Sequence, residues 1–407
     1  MSSTNRPQVS TLARRIHGWS WQAFPIGMGT GAVYVTLSGI KERSSTLTTI
    51  ETIFFFLNMA LFLLNTTTLA IQAIVYPRHA WRLMQDPVKG IFVPLVVLSF
   101  ATIIIGTINY AFPTGHVSAN FLYALFWVYV TFSVVTCFPM LMIWFNKPHD
   151  LNHFTPAYAF LIFPMMLVGV VSFNVLRVMD PADTRSIGVL FVGYFFQGLG
   201  FFMTFIYIVI YTGFLDGHQA NGAFVACGPP GFTALALINL GDRARNILDV
   251  HNLITPQAGE IWYAASVMSA LMLYGLAVFL FVFGVMPYWF KLHKHLNEIL
   301  GFGWINTTRV LGDLLNISGF RVIHLIMTVT IFITWCILIV LTAMAFWKGL
   351  IFFSKPEDVL QDTMNPNASD DEKDWKNTGD LTQQGHQTMV LPLHTGAHID
   401  NYGHRMV

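Results

Sequence analysis

Long runs of apolar residues follow one another along most of the chain, separated by short polar segments. A helix that crosses a bilayer needs about 20 mostly apolar residues, and by this rule the pattern predicts ten membrane-spanning helices. Their predicted ranges are 19–40, 50–76, 91–112, 118–145, 156–179, 186–214, 223–240, 260–290, 299–317 and 320–353. The sequence therefore predicts an all-α integral membrane protein that is multi-pass.

Proline recurs near the start of alternate predicted spans. The residues are Pro25, Pro94, Pro164 and Pro230, at separations of 69, 70 and 66 residues. This spacing predicts that about ten transmembrane helices form five helical hairpins. Proline bends a helix and frees a carbonyl, which a membrane tolerates where the backbone is buried in protein or lines water. The pattern favours bent helices around a central pore; the alternative is the general abundance of proline in membrane helices.

Few polar side chains lie within the predicted spans, and each has two interpretations. The amides of Gln197 and Asn239 must be paired inside the protein or must meet a hydrated path. Thr30 belongs to a glycine-rich motif that serves either close helix packing or pore lining. Arg309 lies one helical turn before Asp313, so these two residues either pair with each other or serve the path.

Composition supports a protein surrounded by lipid. Of 407 residues, 54% are hydrophobic and 11% are charged, whereas soluble domains carry about 25% charged residues. The net charge of +1 gives no electrostatic footprint for nucleic acid. The three cysteines lie far apart in apolar runs and offer neither a disulfide framework nor zinc spacing. With no clustered nucleophile–base set, the sequence predicts no enzyme, no cofactor and no metal site.

The termini and the loops divide the chain into three predicted parts. Lys and Arg are more frequent on the side of the N-terminus, nine against seven, and the positive-inside rule places that side in the cytoplasm. A cytoplasmic N-tail covers 1–16, and a transmembrane transporter or channel domain covers 17–353. The polar segment 354–407 has no hydrophobic period and is predicted to be a disordered cytoplasmic C-tail.

Several motifs, in order along the chain, resemble those of the tellurite-resistance/dicarboxylate transporter family. That family includes fungal malic acid transport proteins, fungal sulfite efflux pumps and plant guard-cell slow anion channels. The motifs are WSW at 19–21, MGTG at 28–31, FPMMLVGV at 163–170, FQGLGF at 196–201 and GPPGFTALALIN at 228–239. The last two resemble the malic acid branch, and the whole resemblance covers about residues 15–353.

The resemblance implies more than the residue pattern does. It implies that the odd-numbered helices line the pore, that aromatic side chains occlude it, and that the protein is a homotrimer with one pore per subunit. The aromatic residues at the matching positions are Phe24, Phe163 and Phe232. The residues expected along the substrate path are Thr30, Gln197, Asn239 and Arg309.

The malic acid branch implies plasma-membrane transport of four-carbon dicarboxylates (malate, succinate and fumarate) by a channel-like anion transporter. These small organic anions and the lipid bilayer are the expected partners. Efflux of sulfite or an inorganic anion is the alternative within the same family.

A fifth proline is missing from the repeat. The spacing places it near position 300, where 300–304 reads LGFGW without proline. In the family that the chain resembles, a Trp at the position of Trp304 is followed by about ten residues that contain Phe-Pro. We therefore predict that the ninth helix is truncated by about ten residues, which leaves it too short to cross about 30 Å at 1.5 Å per residue.

Overall fold

The structure, a computed structural model, describes residues 9–41, 43–86, 89–146, 156–213, 225–290 and 302–364. Within these ranges the regular elements are helices, and no strand is present. The helices are α1 (Thr11–Gly18), α2 (Phe24–Leu37), α3 (Ser45–Val75), α4 (Pro77–Gln85), α5 (Leu95–Gly106), α6 (Ala119–Phe145), α7 (Phe163–Leu176), α8 (Thr184–Gly213), α9 (Gly228–Val250), α10 (Ala258–Phe290), α11 (Phe302–Leu314), α12 (Ser318–Trp347) and α13 (Pro356–Met364).

Six helical stretches in the described ranges are long and apolar enough to cross a membrane. They are Ser45–Val75, Gly90–Thr114, Ala119–Phe145, Thr184–Tyr207, Ala258–Gly284 and Ser318–Trp347. Many large apolar side chains on these helices are exposed, including Phe56, Phe132 and Ile326. Lipid accommodates such surfaces, whereas soluble monomers rarely expose a contiguous patch of this kind. The chain is a membrane protein.

The repeated prolines begin helices, and this corrects the predicted bends. Pro25, Pro164 and Pro230 lie in the first turn of α2, α7 and α9, and Pro94 is the N-cap of α5. A proline in the first turn loses nothing, because its missing N–H has no partner inside the helix. Short 3₁₀ turns precede α2, α5 and α7. The proline therefore sets the depth at which each of these helices starts.

The five helices α2, α5, α7, α9 and α11 form a closed ring. Each contacts the next along the chain, and α11 also contacts α2. Each also packs against the helix that follows the ring helix in sequence: α3, α6, α8, α10 and α12 respectively. One ring contact depends on a missing side chain, since a Cβ on Gly31 would lie 2.7 Å from the side chain of Thr102. The ring therefore encloses the interior of the bundle.

The described part of the ninth predicted span is short. Helix α11 has 13 residues, which gives about 20 Å at 1.5 Å per residue. Residues 291–301 lie outside the described ranges, and so does the region in which the fifth proline is expected. The truncation therefore stays a prediction.

The prediction of a disordered tail from residue 354 is wrong for its first residues. Helix α13 (Pro356–Met364) packs against α1, and Asp362 accepts hydrogen bonds from His17 (3.0 Å) and Arg82 (2.5 Å). The Ser354 N–H donates to the Arg14 carbonyl at 3.1 Å.

Burial and the neighbouring His17 lower the pKa of His79, which stacks on His17, to about 4. This histidine is therefore uncharged at neutral pH.

Candidate anion path

A cavity of about 700 Å³ opens at one end of the ring, and we call it the vestibule. It lies at the C-terminal ends of α2 and α7, opposite to α1 and α13. Four arginines line it: Arg43, Arg177, Arg243 and Arg309. No Asp or Glu is among the described residues that line it. A concave surface lined by positive charges raises the local concentration of anions.

Four asparagines also line the vestibule: Asn109, Asn174, Asn239 and Asn306. Three of them precede an arginine by about one helical turn, namely Asn174 before Arg177, Asn239 before Arg243 and Asn306 before Arg309. Residues three or four apart lie on the same face of a helix, so three of the five ring helices, α7, α9 and α11, present an amide and a guanidinium together. The sequence contains this Asn–Arg spacing, but Arg177 and Arg243 were interpreted only as loop charges, so the pattern was not part of the prediction.

The four arginines differ in how far their charge is compensated. Arg43 contacts Glu51 at 2.7 Å, Arg243 contacts Asp242 at 2.6 Å, and Arg309 lies 3.9 Å from Asp313. That last acid is also held by Lys41 and Arg321. Arg177 differs from the other three, because its hydrogen-bond partners among the described residues are neutral.

Arg177 directly follows the C-terminus of α7, where the helix dipole favours a cation. Its guanidinium donates to the side-chain oxygens of Asn174 at 3.2 Å and Asn109 at 3.4 Å. Among the residues that the structure describes, no carboxylate lies within 4.0 Å of it. The full charge of Arg177 is therefore available to an anion in the vestibule.

A second, almost entirely apolar cavity of about 320 Å³ lies deeper in the ring. Pro25, Gly29 and Phe163 are among the residues that line it. Part of its wall comes from α12, including Trp335. Three residues line both cavities: Thr102, Leu167 and Phe232. These three residues form the partition between the vestibule and the apolar cavity.

The predicted aromatic residues lie at different depths. Phe232 lies in the partition and Phe163 lines the apolar cavity, so both can narrow a path along the axis. Phe24 is buried, packs against Phe62, and is not among the residues lining either cavity. Two of the three aromatic positions therefore meet the axis.

The predicted polar residues also separate into two groups. Asn239 and Arg309 line the vestibule. Thr30 and Gln197 are fully buried and line neither cavity. The Thr30 hydroxyl donates to the Ile26 carbonyl at 2.8 Å and accepts from Trp335 at 3.1 Å. Gln197 donates to the Thr233 hydroxyl at 2.9 Å, so both residues join helices to one another.

Leucine substitutions at Asn239 and Gln197 are expected to have different effects on flux and on stability. Asn239→Leu should lower anion flux several-fold with little loss of stability, because it removes a polar group from the vestibule wall. Gln197→Leu should lower thermal stability, since it leaves a bond to Thr233 unmade, with flux per folded molecule retained. Anion flux is measured with each variant in liposomes, and thermal stability is measured as the melting temperature of each purified variant. A selective loss of flux in Gln197→Leu would contradict the assignment.

The fold and the vestibule together define a membrane protein whose helical ring attracts anions. In agreement, residues 18–343 match the SLAC1 family, described as voltage-dependent anion channel. The chain belongs to the SLAC1 family and is an anion transporter of that family. The resemblance inferred from the motifs is thereby confirmed.

Three relatives place the chain more closely. The malic acid transport protein of Schizosaccharomyces pombe is 27% identical over 371 residues, which cover 85% of this chain and 83% of the relative. A second protein of that organism, also named for malic acid transport, is 26% identical over 381 residues, which cover 88% of this chain and 86% of the relative. The sulfite efflux pump SSU1 of Arthroderma otae is 26% identical over 328 residues (76% and 84%). The family and these relatives are transporters or channels.

Proposed function

We propose that the protein carries four-carbon dicarboxylates such as malate, succinate and fumarate through the axis of the ring, as a channel-like anion transporter. The observation that supports this is a vestibule with four arginines and no described acid, which leads to an apolar partition. The proposal includes ten membrane-spanning helices in five hairpins, a homotrimer with one path per subunit, and a plasma-membrane location with both tails in the cytoplasm.

The chemistry of the vestibule suits an anion with two carboxylates. Guanidinium groups bind carboxylates through two parallel hydrogen bonds, and the arginines come from four different parts of the ring. One dicarboxylate can therefore meet two of them at once, while asparagine amides replace part of its hydration shell. The partition contains no fixed cation among the described residues, so the anion is not held there and can leave.

Purified protein in liposomes tests the proposal. We expect uptake of radiolabelled malate, succinate and fumarate well above that of empty liposomes, and weaker transport of sulfite and chloride. Equal transport of a monocarboxylate such as acetate would argue against recognition of two carboxylates. Flux that is absent for every anion in the panel would reject anion transport by this chain.

Sulfite efflux is the second candidate function. It is supported by the relative named sulfite efflux pump SSU1 and by the fact that arginines also bind inorganic oxyanions. The same liposome panel decides between the two. Sulfite flux that exceeds malate flux by tenfold or more would favour this second function.

Lengthening the ninth helix is expected to increase flux several-fold. An insertion of about ten residues containing Phe-Pro after Trp304 would extend α11 to about 35 Å at 1.5 Å per residue, enough to cross the bilayer core. Malate flux per folded molecule in liposomes is the measurement, and a Gly-Ser insertion of equal length is the control. Flux that does not differ between the original chain and the Phe-Pro chain would refute the truncation.

A further inference from the structure

One acidic side chain is buried beside the vestibule. Glu51, on α3, is 0% exposed and is the one fully buried acid among the described residues. Burying a carboxylate is costly unless it is paired and hydrogen-bonded. Its Oε2 accepts from Arg43 at 2.7 Å and from the Tyr110 hydroxyl at 3.1 Å, whereas its Oε1 has no hydrogen-bond partner there. The acid is thus only half satisfied by its surroundings.

Both partners of Glu51 belong to the vestibule wall. Arg43 and Tyr110 line the cavity, whereas Glu51 does not. Arg43 also donates to the Ser38 carbonyl at 3.2 Å, which holds its guanidinium against the end of α2. Tyr110 lies in a π-helical turn, Thr107–Ala111, which follows α5. Such turns are frequent at functional sites, and this one directs the hydroxyl onto the carboxylate.

A chain of hydrogen bonds continues from this group to the partition. The Tyr110 hydroxyl lies 3.4 Å from the Tyr34 carbonyl, and the Tyr34 hydroxyl donates to the Thr102 carbonyl at 2.6 Å. Asn58 donates to the Tyr34 hydroxyl at 3.3 Å and to the Thr102 hydroxyl at 2.9 Å. These bonds fix α2, α3 and α5 relative to one another. The position of Arg43 is therefore tied to a rigid wall.

We propose that Glu51 is a positioning residue that sets the affinity of the vestibule for anions by holding Arg43 and compensating its charge. This inference rests on the proposed anion transport. An entering carboxylate must compete with Glu51 for the guanidinium of Arg43, so binding at this side of the vestibule is weaker than at Arg177. Weak binding on one side favours release of the anion, because a path that binds too tightly does not conduct.

Glu51→Gln tests the proposal, since glutamine keeps the shape of the side chain and removes its charge. The half-saturating malate concentration for flux into liposomes is expected to fall about three- to tenfold. This is the size of effect that the uncompensated charge of Arg43 has on an anion several Å away in a hydrated site. Maximal flux should stay equal or fall, because release becomes slower. Glu51→Asp keeps the charge and should restore a half-saturating concentration closer to that of the original protein.

Arg43→Gln provides the coupling test. A fully buried carboxylate without its cation does not stay charged, so adding Glu51→Gln to Arg43→Gln should leave the half-saturating concentration unchanged. This pair also serves if the single Glu51→Gln variant fails to fold, because the double variant contains no unpaired buried charge.

Three outcomes would overturn the role of Glu51. They are an unchanged or increased half-saturating concentration in folded Glu51→Gln, an equal decrease in the Arg43→Gln background, and a decrease of equal size in Glu51→Asp. Absence of malate flux from the original protein is a different result, since it rejects the proposed function itself.

Discussion

Replacing Arg177 by Gln is expected to raise the half-saturating concentration for dicarboxylate flux by about tenfold to a hundredfold. A hydrogen bond to a charged group contributes about 1.5–3 kcal/mol, and about 1.4 kcal/mol corresponds to a factor of ten. Of the vestibule arginines, Arg177 is the one whose partners among the described residues are all neutral, so its loss removes an uncompensated charge. Initial rates of malate uptake into liposomes over a range of concentrations provide the measurement.

Arg245→Gln is the matched control for this experiment. Arg245 pairs with Glu260 at 2.9 Å and is not among the residues that line the vestibule. The same change of charge there should alter the half-saturating concentration by less than about twofold, because exposed ion pairs contribute little. Arg177→Lys retains the charge without the planar fork and should give an intermediate value. Equal effects of Arg177→Gln and Arg245→Gln would exclude a binding role for Arg177.

Phe232→Ala is expected to raise maximal anion flux several-fold. The ring of Phe232 lies in the partition that the vestibule and the apolar cavity share. Alanine removes most of the side chain from that layer and joins the two cavities. The half-saturating concentration should change little, since the arginines of the vestibule are unaffected. Unitary conductance in planar bilayers or maximal flux in liposomes measures the effect.

Phe279→Ala controls for the general effect of removing a phenylalanine. Phe279 lies on α10 with an exposed side chain and lines neither cavity. The maximal flux of the Phe279→Ala variant should therefore equal that of the original protein. Phe24→Ala should lower the melting temperature, because a buried phenylalanine contributes about 3–5 kcal/mol. If Phe24→Ala raised flux as much as Phe232→Ala, the placement of the partition would be wrong.

Periodic features of the sequence predicted the all-helical class of the fold, and six of the described helical stretches are long and apolar enough to cross a membrane. Apolar runs predicted helices, and the proline spacing predicted four of the five ring helices, since α11 contains no proline. The same prolines were expected to bend helices, yet Pro25 and Pro164 begin them. Sequence alone does not distinguish these cases, since a span that starts with a 3₁₀ turn and one that bends have the same apolar pattern.

Individual site residues were harder to predict, because their roles depend on partners distant in sequence. Asn239 and Arg309 were placed on the path, and both line the vestibule. Gln197 has the same chemistry as Asn239 but meets Thr233 across a helix interface. Arg177 looked like a loop charge, because only the closed ring brings it near Asn109. Pairing of this kind follows from three-dimensional packing and leaves no mark on hydropathy.

The contact between the two ends of the described chain also constrains the order of biosynthesis. A Cβ on Gly18 would lie 2.6 Å from the Phe353 backbone nitrogen, and Arg14 stacks on the Phe353 ring at 3.9 Å. The ribosome makes α1 before α12 and residue 353, so α1 lacks this contact until α12 has been made. Nascent chains that stop before residue 353 therefore lack this contact with α1, and the contact marks a chain in which α12 has been made.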